Sequence, residues 1–351
     1  MEGVADLGGW PALLGKVAGL ESLSRREAAA AMTDILSGET TDAQIAGLIV
    51  ALRIKGETVD EMTGLATAML AAAEPLDMPS STIDIVGTGG SSHRRRHALN
   101  ISTMASIVAG AAGAIVCKHG NRKASSTSGS FDFLEAIGVD VDLGPAGLEA
   151  CVAKVGVGFA YARSFHPAMR HLGPVRAQLG IPTVFNVLGP LAHPGRLTRQ
   201  VVGTASATLA PTMAEVLRNL GSERSWVVAG EGGIDELTTT GPTKVFEVSP
   251  DGVAEFEVTP QEVGLDPAPS LEVLAGGSAS ENASIFSAIV DGSERGPRRD
   301  VVVLNAAAGL VVADVAGDLE AGVKMAGEAI DDGRVGHKVA DLIDAANGSV
   351  A

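Results

Sequence analysis

From residue 83 onward, short runs rich in Val and Ile alternate with Ala- and Leu-rich stretches of helical period. That alternation leaves few architectures open, because a strand, a crossover helix and a further strand join as a parallel pair with the helix packed on the sheet. The β-type runs are residues 83–86, 115–118, 158–161, 226–229 and 301–304; the helical ones fall at 104–112, 134–137, 148–155, 209–220 and 319–330. Residues 240–270 break the rhythm with Pro, Gly and acidic residues around short Val/Phe pieces, the pattern of an antiparallel excursion at a sheet edge. Aromatics are only 3% of the chain against 46% hydrophobic residues, so the core must be aliphatic.

The first 75 residues obey a different pattern. Ser24 precedes Glu27, Thr41 precedes Gln44 and Thr58 precedes Glu61, three capping-box spacings, each just ahead of an apolar-periodic run (28–36, 45–54 and 62–73). They predict a small helical bundle that packs and carries no chemistry. Pro75 to Ser81 ends the pattern. The fold expected is therefore α/β, with residues 1–78 as a small α-helical domain and 79–351 as an α/β domain with a mostly parallel sheet.

Charge narrows the function. Lys plus Arg number 26 against 42 for Asp plus Glu, a net charge of −16, which argues against nucleic acid or an anionic membrane as partner. Cys117 and Cys151 form no CxxC pair and sit in apolar surroundings, as buried thiols in a reducing compartment do. The opening MEGVADLGGW has neither the basic leader nor the apolar run of a signal peptide, and no stretch approaches the roughly 18 apolar residues of a membrane span. A soluble cytoplasmic protein is expected.

Chemistry concentrates between Asp84 and Ser130. Gly87-Thr88-Gly89-Gly90 follows the first strand directly, at the end of a sheet where ligands gather. It is neither a dinucleotide fingerprint nor a P-loop: the glycine spacing is wrong, and no GxxxxGK[ST] occurs. Asn100, Ile101, Ser102 and Thr103 then open an apolar helix. They are either an anion site at its N-terminus or an ordinary cap made by Ser102 or Thr103. Lys118, His119, Gly120, Asn121 and Arg122 follow the second strand and lead into a hydroxyl-rich run that includes Ser125, Ser126 and Ser130. Backbone N–H groups, hydroxyls and cations at this density suit a polyphosphate.

DIVGTGG, NIST, KHGNRKASSTSGS, HPAMRHLGPVRAQLGIPTVFNVLGPLAHPG, GGIDELTTTGPT, GGSASENA and VVLNAAAGL occur in one order from Asp84 to Leu310. In this the chain resembles the anthranilate phosphoribosyltransferases, which join anthranilate to 5-phosphoribosyl 1-diphosphate in tryptophan biosynthesis. The resemblance implies a nucleoside phosphorylase/phosphoribosyltransferase-like fold, the small domain completed by helices from about residue 168 to 192, and a homodimer formed through the small domains. It implies that Gly87, Gly90, Ser91, the segment Asn100, Ile101, Ser102 and Thr103, and the loop from Lys118 through Ser125 and Ser126 to Ser130 hold the donor. Asn121 and Arg176 would meet the carboxylated acceptor. Ser102, Asp235 and Glu236 would hold Mg2+, which favours hard oxygen ligands shared with substrate phosphates. A pyrimidine nucleoside phosphorylase of the same fold and a non-catalytic nucleic-acid or ligand-binding relative are the alternatives. No general base is evident; His119 is placed for one but serves equally well as a structural residue.

One departure stands inside the signature. The family usually continues GTGG with Asp-Gly, whereas this chain has a longer basic insert, Ser91 to Leu99, containing Arg94, Arg95 and Arg96, and lacks the carboxylate expected at Ser91. The arginines either add phosphate contacts or form an exposed lid tip. His93 and His97 stand four apart with no third ligand beside them, too few for zinc.

Overall fold

All three capping boxes form. Ser24, Thr41 and Thr58 each accept the backbone N–H three residues on at 3.3 Å, opening the helices Arg25–Ser37, Asp42–Lys55 and Val59–Ala71. A further helix, Gly9–Ala18, precedes them. Glu61 does more than cap: fully buried, it also accepts the Leu23 N–H at 2.8 Å and pairs with Lys55 at 2.9 Å, so its charge is compensated. The computed structural model describes residues 3–89, 91, 98–123 and 127–348.

Among the described residues seven strands make one sheet: β1 (Ile83–Gly87), β2 (Val116–Gly120), β3 (Val157–Tyr161), β4 (Arg199–Gly203), β5 (Arg224–Gly230), β6 (Thr243–Ser249) and β7 (Gly252–Val258). The order is β3-β2-β1-β4-β5-β6-β7; the first five run parallel, and β6 and β7 are the expected antiparallel edge. The chain lays β2 and β3 outward from β1, then returns to place β4 on the other side of it. That reversal opens a crevice at the carboxyl ends of β1 and β4, where ligands of open α/β sheets bind.

Two expectations fail for local reasons. Residues 301–304 are not a strand but lie within the helix Pro297–Val312. Three consecutive valines favour a strand, yet Pro297 at the first helical position and the Ala306–Ala308 run carry a helix that is buried from Val301 to Val312. Conversely, β4 was missed because Arg199 and Gln200 interrupt its apolar run; Gln200 is nevertheless buried and donates to the Pro190 carbonyl at 3.3 Å.

The sheet separates two apolar clusters. One fills the space under the helices Ile101–Ala111, Pro145–Val155, Pro297–Val312 and Arg334–Gly348. The other joins the N-terminal helices to Leu172, Val175, Phe185 and Leu188, and continues onto the opposite sheet face at Val202, Val227 and Phe246 under the helix Ala210–Asn219. Among the described residues no helix is long and apolar enough to cross a membrane.

Candidate active site at the sheet switch point

A polar cavity of about 290 Å³ lies at the carboxyl ends of β1 and β2. Of the residues singled out by sequence, Gly87, Ser91, Asn100, Ser102, Thr103, Lys118, His119, Gly120, Asn121, Arg122, Ser130, Asp235 and Glu236 all line it. Ile101 does not: its side chain packs into the apolar core. Gly90, Ser125, Ser126 and the insert residues 92–97 lie outside the described residues.

The helix Ile101–Ala111 aims its N-terminus at this cavity. Its cap is Asn100, which makes no side-chain cap bond, so the ordinary-cap reading of Ser102 and Thr103 is not what forms. Asn100 instead faces sideways: its Oδ1 accepts the Ser128 hydroxyl at 2.8 Å and the Asn282 Nδ2 at 2.7 Å. Asn282 also donates to the Ala98 carbonyl at 2.8 Å and accepts the Gly277 N–H at 2.8 Å, which ties the GGSASENA segment to the NIST corner. The buried hydroxyls of Ser91 and Thr103 have no hydrogen-bond partner among the described residues. A helix N-terminus with unspent hydroxyls beside it is a ready anion site.

Lys118 supplies the cation. It is 1% exposed, and its Nζ donates to the Ile85 carbonyl at 2.7 Å. Burial pulls its pKa down, opposed by Asp84, Glu236 and Asp235. Asp84, at the start of the GTGG strand, is fully buried and accepts the His119 N–H at 3.2 Å. Burial pushes its carboxyl up to about 7, with Lys118 and that N–H pulling the other way. Arg122 lines the cavity, but its guanidinium is bidentate on Glu135 and lies 5.7 Å over the Tyr161 ring.

Asp235 and Glu236 stand opposite. An Asp235 oxygen accepts the Gly89 N–H at 2.6 Å, and a Glu236 oxygen accepts the Ser102 N–H at 3.2 Å. Their loop presses on the strand ends so closely that a Cβ on Gly87 would stand 2.6 Å from the Asp235 carboxylate, and one on Gly203 would collide with the Asp235 backbone oxygen. Among the described residues no three His, Cys, Asp or Glu form an all-protein metal cage. Two buried carboxylates and the Ser102 hydroxyl beside an anion site nevertheless fit Mg2+, which keeps waters and shares its ligands with substrate phosphates.

A second, wider cavity of about 890 Å³ opens from the first; both are walled by Gly87, Thr88, His119, Gly120, Asn121, Arg122 and Asn186. Its far side carries Tyr161, Arg163, His166, Met169, Arg170 and Arg176, with Met69 from the bundle. Arg176 lies 5.8 Å over the Phe185 ring, and burial lowers its pKa. Behind the junction three buried histidines cluster: the His119 ring is 5.3 Å from that of His166 and 5.7 Å from that of His193. Burial lowers all three pKa values, His193 to about 3, so the rings are neutral at pH 7. His119 touches both cavities but is a weak base.

Comparison with known proteins agrees with this geometry. Residues 11–73 match the helical bundle domain of the glycosyl transferase family, and residues 79–335 match its a/b domain. Anthranilate phosphoribosyltransferase of Parvibaculum lavamentivorans is 46% identical over 336 residues, covering 96% of this chain and 97% of that one. The enzyme of the same name from Rhizobium meliloti is 47% identical, covering 93% and 94%. The chain belongs to the anthranilate phosphoribosyltransferase family.

Solved structures agree. The crystal structure of the anthranilate phosphoribosyltransferase from Thermus thermophilus superposes with a TM-score of 0.89 at 42% identity, covering 95% of this chain and 99% of that one. The Saccharomyces cerevisiae enzyme in complex with PRPP and Mg gives 0.84 at 28% identity, covering 93% and 94%. The alternatives of a nucleoside phosphorylase and a non-catalytic relative are not supported. Several residues escaped the sequence reading: Asp84, His166, Asn186, His193, Asn282 and Asn305. For Asn305 alone a local signal existed, a lone carboxamide within the apolar run from Val301 to Val312.

Proposed function

We propose that the chain transfers the phosphoribosyl group of 5-phosphoribosyl 1-diphosphate to the amine of anthranilate, giving N-(5-phosphoribosyl)anthranilate and pyrophosphate, with Mg2+ as cofactor. The observation that carries this is the pair of cavities meeting at Gly87, His119 and Asn121, one polar and carboxylate-lined, the other roomy and rich in arginine.

The donor's phosphates occupy the N–H groups of the Gly87 turn and the helix N-terminus at Asn100, with Lys118 beneath. Ser102, Asp235 and Glu236 hold the magnesium, which supplies charge neutralisation for the departing pyrophosphate. Arg176 clamps the anthranilate carboxylate from the wider cavity and presents the amine toward the junction. The amine nitrogen bonds the anomeric carbon as the carbon–oxygen bond to pyrophosphate breaks, and the amine proton is lost to solvent or to pyrophosphate. Negative charge grows on the leaving group, so fixed donors around it favour the transition state over the bound substrates.

A homodimer through the helical bundle is part of this proposal, supported by exposed Leu20 and Ile54 on that bundle, and light scattering tests it. The cytoplasm is the compartment that free Cys117 and Cys151 support. The deciding assay follows loss of anthranilate fluorescence on mixing with donor and Mg2+. No loss, or equal loss with chelator present, would refute the activity or its metal dependence respectively.

A further inference from the structure

We propose that Asn305 is a positioning residue that sets the Asp235-Glu236 carboxylates for magnesium. Between Val301 and Val312 the helix Pro297–Val312 is buried throughout, and Asn305, 1% exposed, is its one polar side chain. The carboxamide is aimed at the backbone of the residue directly after Glu236. Its Oδ1 accepts the Leu237 N–H at 3.1 Å and its Nδ2 donates to the Leu237 carbonyl at 2.9 Å; the remaining N–H goes to the Val301 carbonyl at 2.8 Å. Asn305 thus pairs with Leu237 on both backbone groups, as a neighbouring strand would.

On the other side of the carboxylates, Ile234 is bridged to Gly230 at the end of β5, the Gly230 N–H donating to the Ile234 carbonyl at 2.9 Å. Asp235 and Glu236 are therefore bracketed by one strand-end bridge and one side chain reaching up from a helix. From that bracket they reach Gly89 and Ser102. Neither Leu nor Asp reproduces the contact: Leu leaves two buried backbone groups unpaired, and Asp sets a carboxylate against the Leu237 carbonyl. A group that only orients metal ligands typically carries 10–100-fold of metal affinity, roughly.

The inference rests on the magnesium-dependent transfer proposed above, and the test separates the two. The Asn305→Leu and Asn305→Asp variants are compared with wild type in three measurements. These are hydrogen exchange of the Leu237 amide in metal-free protein, Mn2+ binding by paramagnetic resonance with donor but no acceptor, and steady-state kinetics in Mg2+. The expected result for N305L is faster Leu237 exchange, metal binding weaker by about tenfold with an equal rise in the Mg2+ half-saturation, and an unchanged KM for anthranilate. If N305L does not fold, the near-isosteric N305D carries the test, with weaker metal binding again expected. Mn2+ binding within about twofold of wild type in a folded variant would overturn the inference while leaving the transferase reading intact. Wild-type protein that turns over without divalent metal would overturn both.

Discussion

The smaller cavity, proposed above for the donor, and the larger one, proposed for the acceptor, share a wall but are built by different means. Around the donor cavity, five separate stretches of chain are cross-tied: Asn100 to Ser128 and Asn282, Gly89 to Asp235, Ser102 to Glu236, Lys118 to the β1 backbone. Around the acceptor cavity, most of the wall comes from one stretch, Tyr161 to Pro190, closed by Met69 of the bundle. The smaller cavity is held by hydrogen bonds that fix atoms, whereas the larger is held by side chains that fill space. The difference matches the ligands: a polyphosphate needs many donors in fixed places, while a flat aromatic acid needs one cationic clamp and room. Disturbing the first should cost turnover, and disturbing the second should cost acceptor affinity.

The largest effect tests the donor side. Asp235→Ala combined with Glu236→Ala is expected to reduce kcat/KM on the order of 10³-fold, because metal charge stabilisation amounts to several kcal/mol. Circular dichroism should show the fold retained. Turnover that stays near wild type would show that these carboxylates hold no metal.

Arg176→Ala tests the acceptor side with a smaller effect of the other kind. Losing charge-assisted hydrogen bonds worth about 1.5–3 kcal/mol should raise KM for anthranilate by roughly 10–150-fold while leaving KM for the donor alone. Arg176→Lys should recover only part, since the planar fork is lost. A shift in donor KM of the same size would break the division between the cavities.

A third, milder change probes the cross-ties themselves. Asn282→Ala leaves the Ala98 carbonyl, Asn100 Oδ1 and the Gly277 N–H each without the bond that it made. A loss of about 1–3 kcal/mol in unfolding free energy is expected, with a severalfold rise in donor KM and no change for anthranilate. Urea unfolding and paired KM measurements check it.

The two cavities also differ in how far the sequence disclosed them. Nearly every described residue that lines the smaller cavity was legible because it falls in a strand–turn or turn–helix motif whose chemistry is local. Gly87, Asn100 and Lys118 need only their neighbours in sequence to be noticed. The part of the larger cavity's wall not shared with the smaller, apart from Arg176, was not: His166 acquires meaning only through the pairing of β3 with β2 beside His119. Asn186, on the shared wall, does so only as the chain returns toward β4. The same holds for Asn282 and Asn305, whose partners lie 182 and 68 residues away. The helix mistaken for a strand at 301–304 has the same origin, since burial on all sides erases the periodicity that distinguishes the two.

The last effects are on stability alone; they come from buried titrating groups and carry opposite signs. His193 donates from Nε2 to the Cys117 carbonyl at 2.9 Å and accepts the Gly195 N–H on Nδ1 at 3.0 Å, so a second proton would face an N–H. With its folded pKa lowered to about 3, the unfolded chain binds the extra proton first. Stability conferred by His193 is therefore complete above about pH 6.5 and falls as pH drops toward 3, by about 1.4 kcal/mol per pH unit for one proton. Asp84, pushed up to about 7, works the other way: the folded chain keeps its proton longer, so its contribution falls as pH rises from the ordinary carboxylate range toward 7. The His193→Gln variant should lose less stability than wild type between pH 6.5 and 4.5, and Asp84→Asn should lose more. Thermal unfolding across that range decides it, and parallel curves for the two variants would show that neither group titrates as its burial implies.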